Sequence, residues 1–231
     1  MSDKTSPATQ KVKRISVRLI IVFAIFIIVL LLLFFITDKI VLAKETGFDN
    51  RVFTFLHSYI TPAVTCKMIF FTFFGSEKFL FPAYVILVLY FLLFKKNTLR
   101  SFNITAIGIS SVALLFIVKD IFKRHRPLDP LLANVRGFSF PSGHSFSAFT
   151  FCGLLTYVVW ELKISNWLKC AASFILFLFA ALIALSRVYL HVHYASDVIA
   201  GFCLSILWLT ICIFVLTKIE KQRRLKKIEK D

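Results

Sequence analysis

The sequence predicts an all-α fold, a six-transmembrane-helix bundle, on three observations. The chain is 58% hydrophobic over 231 residues, with 28 Phe, too apolar for an ordinary soluble domain and too short for several domains. It contains six uncharged apolar runs, at 19–37, 79–94, 101–118, 145–160, 171–186 and 198–217. Its basic residues gather at 4–18, at Lys95, Lys96 and Arg100, at Lys163 and Lys169, and at 218–230. Six crossings bring all four clusters to one side of a bilayer, which is the positive-inside pattern.

A crossing takes about 20 residues, and roughly 17 at the short end. The three runs of 16 residues therefore borrow from their flanks. Residues 1–18 form a basic cytoplasmic N-terminus. Run 19–37 is longer than the roughly 7–15 residues of a signal-peptide core, and no A-x-A-like site follows it, so it is expected to remain as an anchor. It leads outward and makes 38–76 external. Within that stretch 52–76 is apolar but broken by Pro62 and Lys67, which predicts an interfacial or re-entrant piece rather than a seventh span. Run 79–94 returns inward. Run 101–118 leads out again and leaves 119–143 external. Run 145–160 enters, 171–186 exits near Ser186, and 198–217 enters from about Asp197. Residues 218–231 are then a basic cytoplasmic tail, placed to touch anionic headgroups. One integral-membrane domain accounts for 1–231. Ala180 and Ala184 would let helices approach closely, a common feature with no functional weight.

The net charge of +16 raises a nucleic-acid partner, but the charge sits where a membrane topology puts it, so none is expected. Five cysteines, an odd number, give no disulfide framework. Cys152, Cys170, Cys203 and Cys212 fall in or beside the runs, where Cys acts as a small apolar residue. Cys66 has no evident partner. No C-x-x-C or H-x-x-E-H pattern, Walker A loop, dinucleotide fingerprint or internal repeat is present, so neither metal nor cofactor is expected.

Three short runs carry chemistry, all at the outward ends of apolar stretches. The first is Lys119-x6-Arg126-Pro127. Seven residues make two helical turns along one face if the helix persists, although Pro127 disfavours a helical Arg126. Arg offers phosphate a fixed fork of donors and Lys a point charge. Taken alone, the patch reads as snorkelling interfacial charge. Lys123, Arg124 and His125 are expected to be surface charges. The second run, Pro141-Ser142-Gly143-His144, opens a helix with Ser142 as its N-cap. Free N–H groups there form an anion site, and Gly143 lets the backbone come close. His144 is either an interfacial aromatic or a proton donor to a leaving oxygen. The third run is Ser186-Arg187-x5-His193-x3-Asp197. His193 and Asp197 are four apart and share a face if the segment is helical. A carboxylate on Nδ1–H would fix the imidazole tautomer and free Nε2 to attack. His191 lies six before Asp197, on the wrong side of such a helix. The plain structural reading is a His–Asp pair that steadies a helix start.

In order and spacing these runs resemble the motifs of the type 2 phosphatidic acid phosphatase (PAP2) superfamily, lipid phosphatases related to vanadium haloperoxidases. The resemblance covers 119–197, and it implies a six-helix membrane form with the active site at the external membrane interface. It implies His193 as nucleophile, oriented by Asp197, and His144 as general acid. Lys119, Arg126, Ser142, Gly143 and Arg187 would hold the phosphate. The implied activity is metal-independent hydrolysis of a lipid phosphate or pyrophosphate through a phosphohistidine. The partners expected are a lipid phosphate substrate and the bilayer. The small size and minimal loops resemble bacterial members, which places the chain in a bacterial cytoplasmic membrane. Undecaprenyl pyrophosphate, phosphatidylglycerophosphate, phosphatidic acid and lipid A phosphate all fit. The external face favours a carrier lipid or an envelope lipid, and undecaprenyl pyrophosphate or a phosphoglycerolipid is preferred, with no residue that chooses between them. A phosphotransferase with an alcohol or lipid acceptor would use the same site. A non-catalytic phosphate-binding membrane protein would not need His144, His193 and Asp197 together. The haloperoxidases are soluble, unlike this chain.

Overall fold

The structure is a computed structural model and describes residues 7–133 and 135–228. Of the basic ends expected at 1–18 and 218–231, residues 1–6 and 229–231 lie outside the described residues. Eight α-helices follow in order: α1 (Pro7–Phe35), α2 (Gly47–His57), α3 (Pro62–Phe73), α4 (Glu77–Leu89), α5 (Thr98–Phe122), α6 (Gly143–Glu161), α7 (Asn166–Tyr189) and α8 (Ala195–Ile228). Wider π-helical turns extend α1 over Ile36–Leu42 and α4 over Tyr90–Phe94. No strand occurs among the described residues.

Each of the six apolar runs falls within a helical stretch. Five stretches are long and apolar enough to cross a membrane: Leu19–Leu42, Pro62–Phe94, Thr98–Phe122, Asn166–Tyr189 and Ala195–Glu220. The remaining run lies in α6, whose 19 residues reach about 28 Å, close to the hydrocarbon thickness. Its Ser, Thr, Gly and His content lowers its hydropathy, and its position in the bundle explains why that is tolerated. It packs most extensively against α7 and α8 and buries Phe146, Ala148, Thr150, Cys152 and Leu154. The Thr150 hydroxyl donates to the Phe146 carbonyl at 2.7 Å, so this buried hydroxyl is satisfied within its own helix. In contrast, α1 exposes Leu19, Ile20, Phe23, Ile28 and Phe34 along its length, as a lipid-facing helix does.

Small residues bring the central helices together. A Cβ on Gly153 of α6 would stand 2.6 Å from Leu209 Cδ1 of α8, and one on Gly201 of α8 would stand 2.9 Å from the Ser142 carbonyl. Ala180 and Ala184 are buried on α7, where Ala180 packs with Ala148 and Cys152 of α6. The segment expected to be interfacial or re-entrant forms two short helices, α2 and α3, of 11 and 12 residues. Thr61 caps α3 by accepting from the Val64 N–H, with Pro62 in the first turn. Both helices pack on the turn between α7 and α8. Leu56 meets Val188 and Ala195, while Ile60, Val64 and Met68 meet Tyr189, Leu190 and Val192. At the opposite end of the bundle Arg100 pairs with Glu161, and the Asn103 amide donates to Glu220 at 2.6 Å.

Candidate active site

The three motifs meet at one end of the bundle. Helix α5 stops at Phe122 because Lys123 adopts a left-handed conformation (φ 44°). Lys119 and Arg126 therefore do not share a helix face, contrary to the helical spacing. Pro127 keeps the chain extended beyond the turn, and Arg126 enters the site from a loop. Its guanidinium is fixed by carbonyls: Nε donates to Gly137 O (2.9 Å), Nη2 to Arg136 O (3.0 Å) and Nη1 to Val192 O (2.7 Å). Lys119 Nζ donates to Phe138 O at 2.7 Å.

Ser142 is the N-cap of α6, as expected. Its hydroxyl oxygen accepts from the Ser145 N–H (3.4 Å) and the Ser145 hydroxyl (2.9 Å). Its own N–H donates to the Asp197 carbonyl at 3.0 Å, which ties the second motif to the third. A Cβ on Gly143 would come within 3.2 Å of Leu115 Cδ2 and 3.8 Å of Lys119 Cε, so the helix start lies directly against α5. The charges of Arg187, His193, Arg126 and Lys119 all bear on His144.

The α7–α8 turn holds the third motif. Helix α8 begins at Ala195, so His193 precedes it and the two residues do not lie on one helix face. Asp197 instead reaches back, accepting the Tyr194 N–H at 3.0 Å in the manner of a capping-box carboxylate. His193 is 1% exposed and Asp197 is fully buried. His193 Nδ1 stands 3.6 Å from Asp197 Oδ2, longer than a hydrogen bond. The expected direct Nδ1–H contact is thus replaced by a longer approach, because both carboxylate oxygens are already engaged. Arg126 Nη1 lies 3.1 Å from His193 Nε2. Arginine can only donate, so Nε2 is the acceptor and Nδ1 carries the proton. Burial pushes the His193 pKa down to about 3; Asp197 opposes this, and Arg126 and Arg187 add to it. The imidazole is neutral at rest, with its Nε2 lone pair facing the cations. His191 turns away, with positive φ and its ring 4.7 Å from that of Phe53.

Several members of the site were not read from the sequence. Arg124, expected as a surface charge, is turned inward by the left-handed residue before it. Its Nη1 donates to Asp197 Oδ1 (2.6 Å) and Ser196 Oγ (2.8 Å), and its Nη2 to Asp49 Oδ2 (2.9 Å). Its face covers the Tyr194 ring at 4.0 Å. Burial works against its charge, but Asp197 and Asp49 outweigh burial and raise its pKa. Asp49 of α2 is fully buried and also accepts the Ser196 N–H (2.9 Å) and hydroxyl (2.7 Å). Ser139 is fully buried, donates to Asp197 Oδ2 and lies 3.3 Å from His193 Nδ1. Arg187, which the sequence did single out as a phosphate ligand, is buried; its Nη1 donates to Thr72 Oγ1 of α3 at 2.6 Å, while its Nε has no partner. Gly75, in the α3–α4 turn, lies against the His144 ring. Of those the sequence did not assign to the site, Arg124 and Ser139 each lie beside a motif, two residues before Arg126 and three before Ser142.

Among the described residues no group of three His, Cys, Asp or Glu side chains is set to hold a metal ion. The chemistry on offer is a pocket of fixed cations around a neutral imidazole, with a second imidazole at a helix start.

The PAP2 superfamily matches residues 98–221, more than half of the chain, and that stretch contains all three motifs. The chain is 32% identical over 134 residues to phosphatidylglycerophosphatase B of Bacillus subtilis, covering 58% of this chain and 66% of that protein's length. It is 28% identical over 211 residues to undecaprenyl-diphosphatase of Sulfolobus acidocaldarius, covering 87% of this chain and 94% of that one. Its fold matches the crystal structure of a transmembrane PAP2 type phosphatidylglycerolphosphate phosphatase from Bacillus subtilis with a TM-score of 0.70. That match has 26% identity and covers 87% of this chain and 96% of the other.

Proposed function

The chain belongs to the PAP2 superfamily, and we propose that it is a membrane lipid phosphatase that works through a phosphohistidine at His193. The observation that carries the reading is the neutral, buried His193, with Nε2 3.1 Å from the Arg126 guanidinium. A lipid phosphate enters among Lys119, Arg126, Arg187 and the α6 start at Ser142 and Gly143. These groups stabilise charge on the equatorial oxygens, the main demand of phosphoryl transfer. The Nε2 lone pair forms the N–P bond as the P–O bond to the lipid breaks, and the departing oxygen takes a proton from His144. The phosphoimidazolium keeps its Nδ1–H, and its positive charge is balanced by Asp197. Water then attacks phosphorus and gives its proton to His144. The N–P bond breaks, its electron pair returns to Nε2, and inorganic phosphate leaves. Three cations do the work that Mg²⁺ does elsewhere, so turnover proceeds without added metal.

The substrate class follows from the relatives' names, a phosphatidylglycerophosphatase and an undecaprenyl-diphosphatase. Phosphatidylglycerophosphate, undecaprenyl pyrophosphate and phosphatidic acid are the candidates. The site faces outward and both termini lie in the cytoplasm; the basic clusters and the gathering of the motifs at one bundle end support this orientation. Pure protein in micelles, given each lipid with water as sole acceptor and EDTA present, tests the reading. Phosphate release from at least one lipid, abolished by His193→Ala, is expected. Transfer only in the presence of a lipid alcohol, or release that persists in His193→Ala, would overturn it.

A further inference from the structure

Asp197 is too fully occupied to orient His193 by itself. Its Oδ1 accepts Arg124 Nη1 at 2.6 Å. Its Oδ2 accepts the Tyr194 N–H at 3.0 Å and the Ser139 hydroxyl, and stays 3.6 Å from His193 Nδ1. The carboxylate cannot swing closer without breaking a buried chain of ion pairs, because Arg124 is itself pinned by Asp49 and Ser196.

Ser139 fills the gap. It is fully buried, and its N–H donates to the Arg124 carbonyl at 2.7 Å, which fixes its backbone. A hydroxyl has one proton and two lone pairs. The proton goes to Asp197 Oδ2, since an ionised carboxylate can only accept. A lone pair is then left for the His193 Nδ1–H, 3.3 Å away. The proton assignments agree along the whole line, from Arg126 through His193 and Ser139 to Asp197. We propose that Ser139 is a positioning residue of this reaction, a hydroxyl bridge through which Asp197 holds the imidazole of His193. This rests on His193 as the nucleophile.

The bridge matters most when the imidazole becomes charged, so it acts on turnover rather than on binding. A hydrogen bond to a charged group contributes about 1.5–3 kcal/mol. At about 1.36 kcal/mol per tenfold in rate, Ser139→Ala is expected to lower kcat by roughly 10- to 100-fold with KM little changed. Ser139→Thr, which keeps the hydroxyl, should recover most of that loss. Vanadate, a mimic of the five-coordinate phosphoryl centre, should bind Ser139→Ala more weakly by a similar factor. Ser139→Ala with Asp197→Asn should be no slower than Asp197→Asn alone, because residues acting through one another do not add. A Ser139→Ala enzyme with wild-type kcat, or a double variant in which the two losses multiply, would overturn the bridge. His193→Ala assayed beside them separates the two ideas. If it keeps activity, the nucleophile assignment fails; if it is dead while Ser139→Ala is unchanged, only the bridge fails.

Discussion

Gly75 makes room for His144. A Cβ on Gly75 would stand 2.5 Å from Ile183 Cγ2 and 3.2 Å from His144 Cβ and Cδ2. Ile183 is β-branched, stiff and 1% exposed, so it cannot yield cheaply. Gly75→Ala must therefore displace the α3–α4 turn or the His144 ring. Misplacing a reacting group by about 1 Å costs on the order of 100-fold. We predict a loss of that order in kcat for a lipid phosphate. The loss should shrink for an aryl phosphate, whose phenolate departs without protonation. Equal losses on both substrates would show that Gly75 does not act through His144.

Arg124 and Lys123 are neighbours with opposite fates. Lys123 is largely exposed and pairs with Asp120 at 3.3 Å. Arg124 bridges two fully buried carboxylates. Removing one partner of a buried pair typically costs about 3–5 kcal/mol, whereas an exposed pair is worth about 0–1 kcal/mol. Arg124→Ala is expected to lower the unfolding temperature in micelles and to abolish activity, and Lys123→Ala to change neither appreciably. Matching effects at the two positions would mean that Arg124 contributes only to a diffuse surface field.

Which parts of this site the sequence revealed follows from what each residue needs around it. His193, Asp197, Arg126 and Lys119 stood out because their types and spacing carry phosphate chemistry by themselves. Asp49, Thr72 and Gly75 did not, because their partners lie far along the chain, 75 residues away for Asp49 and Arg124 and 115 for Thr72 and Arg187, in a region whose local pattern says only "interfacial". Arg124 was misread because periodicity cannot see the left-handed Lys123 that turns it inward. The all-helical membrane form was legible from hydropathy: each of the six apolar runs falls in a helical stretch. The polar stripe of α6 weakened its own signal, because a helix surrounded by protein needs less apolar surface than one facing lipid.

Burial of a neutral His193 has a pH signature. In the unfolded chain a histidine takes up its proton near pH 6.5, whereas in the folded protein His193 does so only near 3. Between these values the unfolded state holds more protons. The contribution of the site to stability is therefore complete above about pH 6.5 and is lost as pH falls towards 3, at up to about 1.4 kcal/mol per pH unit. Unfolding temperatures measured from pH 7 to pH 4.5 should fall more steeply for the native protein than for His193→Gln. Parallel curves would mean that His193 titrates alike in the folded and unfolded states, against its burial as a neutral group.

The assignment of the nucleophile is tested by two histidines a residue apart. His193 has Nε2 on Arg126, whereas His191 packs on Phe53 and its buried Nε2 has no hydrogen-bond partner. We predict that His193→Ala abolishes turnover and that His191→Ala retains most of it. Asp197→Asn should fall by several orders of magnitude; the analogous change in a serine-protease triad costs about 10⁴-fold. An amide does not balance the imidazolium that forms when Nε2 takes the phosphoryl group. The intermediate itself can be caught with ³²P-labelled substrate and a rapid alkaline quench, because an N–P bond to histidine survives base and is lost in acid. Peptide mapping should place the label on the fragment containing His193, and His193→Ala should carry none. The label should build up in a variant that forms the intermediate but hydrolyses it slowly, and His144→Gln assayed with an aryl phosphate is such a variant, since the good leaving group removes the need for the acid in the first step only. Label that persists in His193→Ala, or that is lost in His191→Ala, would move the nucleophile away from His193.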